Sequence, residues 1–142
     1  MRVFLASLWI FSATQAVAWE FIPGAPCKLS ASQPDLDIEL THDPLAPLFT
    51  MTLTRKTPWT DAQVFSITFV GASTFTISTD QHDISADKRT LSVADRGFGN
   101  VLRGMEFNQR AVASLGPDAL SIDLADAAGP TRAFRDCPLP VS

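Results

Sequence analysis

The stretch LDIELTHDPLAPLFTMTLTR, residues 36–55, contains two alternating patterns of apolar and polar side chains, separated by a proline-rich segment. Alternation with a period of two is typical of a β-strand that buries one face. Asp43, Pro44 and Pro47, between the two patterns, are residues that favour turns. The stretch therefore predicts a pair of antiparallel strands. The side chains predicted to point inward are Leu36, Ile38, Leu40, Phe49, Met51 and Leu53.

The same alternation recurs in four further segments of the chain. These segments are VFSITFV (64–70), STFTISTD (73–80), TLSVAD (90–95) and ALSIDL (119–124). Six short strands joined by frequent turns predict a mainly β fold, a small antiparallel β-sandwich or open barrel. The chain shows no internal repeat and no linker, so we expect a single β-rich domain.

The alternation stops within SVADRGFGNVLRGMEFN, residues 92–108. Gly97 and Gly99 are spaced as in a tight turn, where glycine adopts a positive φ at little steric cost, so we expect that conformation in one of them. The apolar spacing that follows predicts a short helix with Asn100 as its N-cap. The stretch is therefore predicted to be a corner between a strand and a helix.

A second short helix is predicted over residues 108–115, where Asn108 is a suitable cap. Gly116 and Pro117 follow, and this pair ends helices. We therefore expect one to three short helices in the C-terminal half of the domain.

The corner stretch also carries more polar side chains than a turn requires. A G-x-G before a helix has the form of an anion site, but GFGNVLRG lacks the third glycine of a dinucleotide fingerprint and the Gly-Lys-Ser/Thr of a P-loop. We instead predict a surface that binds a partner, because arginine is enriched in interfaces. The alternative is structural, with each arginine paired to Asp95 or Glu106. The predicted binding residues are Asp95, Arg96, Asn100, Arg103 and Asn108.

The N-terminus has the pattern of a secretory signal peptide. Arg2 precedes an apolar run over residues 3–11, and Ala16-Val17-Ala18 is an A-x-A cleavage site. The run is too short for a spanning helix, which needs about 20 residues. We therefore predict a signal peptide at 1–18, a mature domain at 19–142, a periplasmic or secreted location and no stable membrane insertion after cleavage.

The chain has two cysteines, Cys27 and Cys137. In an exported protein the simplest interpretation is one disulfide that joins the two ends of the mature domain. A reactive thiol pair would favour a C-x-x-C spacing, which this chain lacks.

The composition and motifs exclude several functional classes. A net charge of −4 without clustered basic residues argues against nucleic-acid partners. Neither G-x-S-x-G nor H-E-x-x-H occurs, so we assign no catalytic residue, no cofactor and no metal. The alternative is an exported hydrolase that uses His82 with nearby aspartates. Those aspartates are Asp80, Asp83 and Asp87.

Four segments carry a resemblance to known proteins: WEFIPGAPCKLS, STDQHDIS, DRGFGNVLRGMEFN and AFRDC. They resemble recurring segments of a small, uncharacterised family of exported alphaproteobacterial proteins, a resemblance that implies export and carries no function across to this chain. The C-terminal plan of ALSIDL, a short loop and a helix over GPTRAFRDC is similar to the ending of the invasion-associated locus B proteins, which are exported β-sandwiches. From the leader pattern, the absence of catalytic motifs and the polar corner together, we expect an exported, soluble, non-catalytic protein that binds an unknown protein or cell-envelope component.

Overall fold

The computed structural model describes residues 8–11 and 18–137. Arg2, the start of the apolar run, and Ala16-Val17 of the predicted cleavage site lie outside the described residues. Residues 8–11, the end of the apolar run, form no helix or strand, and their side chains are exposed. Within the described chain, neither helix has the length and hydrophobicity needed to cross a bilayer.

The described chain forms ten strands and two helices. In chain order they are β1 (Glu20–Ile22), β2 (Cys27–Gln33), β3 (Leu36–Asp43), β4 (Leu48–Arg55), β5 (Phe65–Gly71), β6 (Phe75–Thr79), β7 (His82–Ile84), β8 (Thr90–Asp95), α1 (Gly99–Phe107), β9 (Asn108–Leu115), β10 (Asp118–Asp123) and α2 (Ala128–Arg135).

The strands make two antiparallel sheets. The first has the order β1-β2-β3-β4-β8-β7 and the second β10-β9-β5-β6. The predicted mainly β fold, with short helices in the C-terminal half, is confirmed. Because the two sheets are separate layers, the architecture is the β-sandwich rather than the open barrel.

The core lies between the inner faces of the two sheets. Five of the six side chains predicted to point inward from residues 36–55 are buried, and Phe49 is half-buried. They meet Phe65, Ile67 and Phe69 of β5 and Ile122 of β10 from the second sheet. The alternation in the sequence is therefore the alternation between the core and the outer face of each sheet.

The predicted second helix over residues 108–115 is wrong, since this segment is strand β9. It pairs with β5 on one side and β10 on the other, and Gly116 at φ 55° makes the turn into β10. Ala111, Ala113 and Leu115 are buried, which is a period of two. Small alanines suit a central strand because both neighbouring strands and the opposite sheet crowd it.

The two ends of the domain are attached to the sandwich by side chains. Trp19, the first residue of the predicted mature domain, is buried, and its indole N–H donates to the Asp123 carbonyl at 2.9 Å. Cys27 at the start of β2 and Cys137 after α2 form the predicted disulfide, with Cα atoms 6.5 Å apart. The disulfide holds α2 against β1 and β2.

Candidate functional site

Residues 92–108 form the predicted corner between a strand and a helix. β8 ends at Asp95, whose carboxylate accepts the backbone N–H of Arg96 at 2.6 Å. Phe98 follows as the N-cap residue of α1 and is buried. The cap makes no side-chain hydrogen bond, and Asn100 lies one residue inside the helix, so its predicted role as N-cap is wrong. Phe98 anchors the start of α1 by burial instead of by a polar cap.

The predicted positive φ at Gly97 or Gly99 is also wrong. Neither residue is among the positive-φ residues, and a Cβ atom at either would meet open space. The corner therefore turns without left-handed backbone at either glycine, and the buried Phe98 lies between them. The glycine that the packing requires is Gly104, where an added Cβ would lie 2.5 Å from the ring of Phe69.

Four of the five predicted binding residues are exposed at the corner. We call these four, Asp95, Arg96, Asn100 and Arg103, the corner surface. The fifth, Asn108, is buried, and its amide donates to the Gly104 carbonyl at 3.0 Å and accepts the Ser73 N–H at 3.0 Å. Asn108 thus joins the end of α1 to the loop after β5, and it is not available to a partner.

The arginines of the corner surface form no ion pair with a described residue. The Arg103 guanidinium lies over the ring of Phe75, 5.0 Å from its centroid. Glu106, which the i, i+3 spacing offers to Arg103, instead pairs with two arginines of α2. The structural alternative, in which both arginines are neutralised by Asp95 or Glu106, is therefore not the arrangement observed.

A cavity of about 420 Å³ opens between the two sheets directly beneath the corner. It lies between β5 and β6 of the second sheet and β4 and β8 of the first, and the first turn of α1 covers it. Its walls are apolar and its rim is polar. The walls are Met51, Phe65, Ile67, Ile77, Val93, Phe98 and Val101, and the rim is Ser78, Thr79, Gln81, Asp95 and Asn100.

The corner cavity leads toward the centre of the core. A small void of about 20 Å³ shares Met51, Ile67 and Val101 with it. Of the described residues that line the cavity, Asp95 is the one that is ionisable. An apolar ligand group that enters between the sheets therefore passes one carboxylate at the rim.

Two of the five rim residues, Asp95 and Asn100, are among the predicted binding residues, and none of the wall residues is. Asp95 and Asn100 were predicted from their polar density in one short stretch. The walls come from strands distant in the sequence, and each wall residue looked like an ordinary core position. Ile77 and Val93 are only half-buried, which distinguishes them from the closed core, but burial of this kind is not visible in a sequence.

His82, the centre of the alternative hydrolase prediction, is held by the backbone. Its Nε2 lies 3.0 Å from the Ala62 carbonyl oxygen, and its buried Nδ1 has no partner in the described chain. Asp87 is held by its own turn, where the Ser85 hydroxyl and the Arg89 N–H lower the pKa of its carboxyl group. The described residues contain no carboxylate hydrogen-bonded to His82, the contact that orients a catalytic imidazole.

Three groups able to bind a metal lie together at another place in the fold. The ligand atoms of Cys27, His42 and Cys137 are all within 4.8 Å of one another. Cys27 and His42 are direct partners in the β2–β3 register, and Phe49 and Asp95 continue the same row across β4 and β8. The disulfide and the corner thus lie at the same end of the first sheet.

Comparison with known proteins gave no match. No protein-family model fits the chain, and neither a curated protein nor a solved structure is significantly similar to it.

Proposed function

We propose that this chain is an exported, non-catalytic binding protein that takes an apolar group of a protein or cell-envelope component into the corner cavity. The observation that carries the proposal is the coincidence of two features: a cavity with apolar walls between the sheets, and a rim to which Asp95 and Asn100 of the exposed corner surface contribute. Apolar walls with a few convergent polar groups are typical of ligand sites. The corner surface then contacts the remainder of the partner.

The size of the cavity limits what enters it. A volume of about 420 Å³ lies within the range of roughly 300 to 1,000 Å³ typical of small-molecule sites. It accommodates one alkyl chain or aromatic group, not a helix or strand. Each Å² of apolar surface removed from water contributes about 25 cal/mol, before the entropy lost on binding. The cavity therefore supplies an anchor, and the corner surface supplies orientation.

The non-catalytic part of the proposal is supported by the surroundings of the two histidines. His82 contacts a backbone carbonyl, and the ring of His42 stacks on Phe49 with 4.0 Å between centroids. A general base of the triad type requires an imidazole between a nucleophile and a carboxylate. Neither histidine has that arrangement among the described residues.

The export part of the proposal rests on the signal-peptide pattern and the disulfide. Disulfides persist in oxidising compartments such as the periplasm. The described end of the apolar run, residues 8–11, is exposed and contributes nothing to the core, whereas Trp19 is buried. This contrast is expected if the leader is removed before Trp19. The relationship to exported alphaproteobacterial proteins stays a prediction.

The test measures binding of a neutral apolar amine, N-phenyl-1-naphthylamine, by its fluorescence. The full chain is expressed with its leader, and the exported, oxidised protein is purified. Val93→Phe fills the cavity from β8, and we expect it to weaken probe binding at least tenfold. Val112→Phe, on the outer face of β9, makes the same change away from the cavity and should bind as the wild type does.

Two results would contradict the proposal. One is a wild-type protein that does not bind the probe. The other is a folded Val93→Phe variant that binds it as well as the wild type, which would place the probe elsewhere. Circular dichroism of both variants establishes that any loss is not unfolding.

A further inference from the structure

Cys27, His42 and Cys137 come from three different elements and converge at one point. Cys27 begins β2, His42 lies opposite it on β3, and Cys137 follows α2. Their ligand atoms are within 4.8 Å of one another. Cys27 is fully buried, and the other two are half-buried, so the cluster is shielded without being closed.

The imidazole of His42 is already oriented. Its ring stacks on Phe49, with 4.0 Å between centroids and 10° between planes. Its backbone carbonyl lies 3.8 Å from the Cys27 sulfur, and no hydrogen bond engages its ring nitrogens within the described chain. The ring is thus held in place with its nitrogens free of hydrogen bonds to the described chain. It can supply a nitrogen ligand next to the two cysteine sulfurs.

We propose that reduction of the disulfide converts this cluster into a site for one thiophilic d¹⁰ cation, Cu(I) or Zn(II), bound by Cys27, Cys137 and His42. A dithiol reductant breaks the S–S bond. It becomes a disulfide itself, and its two protons pass to the cysteine sulfurs. Metal binding then releases those two protons, because thiolates are the ligands. Thiolate and imidazole together favour these ions over Mg²⁺ or Ca²⁺.

The observed spacing suits such a centre. With metal–sulfur bonds of about 2.3 Å and metal–nitrogen bonds of about 2.0 Å, ligand atoms lie about 3.5 to 3.8 Å apart around a tetrahedral ion. After the S–S bond opens, the sulfurs separate and the ion occupies the space between them and the imidazole. The metal then replaces the disulfide as the link between β2 and the end of α2.

The experiment uses the full mature protein, reduced anaerobically with an immobilised dithiol that is then removed. One arm titrates Co(II) as a spectroscopic substitute for Zn(II), and the other titrates Cu(I) against a chromophoric chelator. We expect one equivalent to bind in at least one arm, with thiolate-to-metal absorption and a raised thermal midpoint. The arm that binds identifies the ion. The oxidised protein should bind none.

His42→Phe keeps the aromatic stack and removes the ligand nitrogen, so we expect it to weaken binding at least tenfold. His82→Phe removes the other imidazole of the described chain and should bind as the wild type does. No binding by the reduced wild type in either arm would overturn the proposal. Equal affinity of His42→Phe and wild type would also overturn it. If reduction unfolds the protein, refolding on addition of either ion supports the proposal, and failure to refold contradicts it.

Discussion

The two helices use arginine in opposite ways. Arg132 and Arg135 of α2 both pair with Glu106, a residue of α1 whose side chain is 7% exposed. Arg96 and Arg103 at the corner have no carboxylate partner among residues 8–11 and 18–137, and Arg103 lies on the face of Phe75. An arginine that pairs with a shielded carboxylate stabilises the fold, whereas an exposed arginine without an ion pair among the described residues is accessible to a partner. The pairing of the arginines thus distinguishes α2, where they stabilise the fold, from the corner, where they belong to a candidate site.

The largest effect is expected in the α2 region, at the disulfide. Cys27→Ala/Cys137→Ala removes a link between residues 110 positions apart. In the chain-entropy model such a link stabilises by about 4 to 5 kcal/mol, an upper figure. Urea denaturation of the double variant and the wild type measures the loss. Mass spectrometry of the exported protein should also find two hydrogens fewer than the dithiol form, and free thiols in that protein would contradict the prediction.

The next effect separates two glycines of α1. Gly104→Ala places a Cβ 2.5 Å from Phe69, which is fully buried, so we expect a loss of about 1 to 3 kcal/mol from overpacking. Gly99→Ala meets open space and should be neutral or stabilise by up to about 1 kcal/mol through helix propensity. Thermal denaturation compares the two. A larger loss of stability for Gly99→Ala than for Gly104→Ala would contradict this and would support the structural role predicted for the corner glycine.

Glu106 provides a direct test of the α2 arginines. Glu106→Gln keeps the size of the side chain but removes the charge that both arginines share, and we expect a loss of about 1 to 2 kcal/mol. Glu39→Gln, on the exposed outer face of β3, is the matched control and should change stability by less than about 0.5 kcal/mol. Equal small effects would mean that the Glu106 pairs contribute no more than surface pairs.

The alternation of apolar residues predicted β3, β4, β5, β6, β8 and β10, because a two-layer fold imposes a period of two on every strand. The same period is present in β2 through Cys27, Leu29 and Ala31, and in β9 through Ala111 and Ala113, but small residues weakened the signal. β1 and β7 have three residues each, and each pairs with the strand that follows it in the chain. Three residues are too few to show an alternation, so the pattern did not predict them.

Four of the predicted binding residues are exposed, and their binding role stays a prediction, but the sequence could not distinguish the buried Asn108 from them. Asn108 is buried because α1 and the loop after β5 close over it, and this closure depends on long-range packing. The cavity was not predicted for the same reason. Its walls are formed by two sheets that meet only in the folded protein.

The smallest loss of stability is expected at the corner. There, we expect the substitutions to weaken partner binding more than they lower the stability of the fold. Arg96→Ala/Arg103→Ala removes the exposed contact of Arg103 with Phe75, which contributes about 0.5 to 1 kcal/mol. It breaks no ion pair among the described residues. Arg132→Ala/Arg135→Ala leaves the shielded Glu106 without both partners and should cost more. Thermal denaturation measures both double variants.

Co-purification of a partner with the exported protein then tests whether the two regions differ in function. We expect the corner variant to keep its fold and lose whatever co-purifies with the wild type, because its guanidinium groups are free to contact a partner. The α2 variant, destabilised but folded at low temperature, should keep it. If the corner variant loses stability and retains the partner, Arg96 and Arg103 belong to the fold after all. The comparison between the two helices then no longer identifies a site.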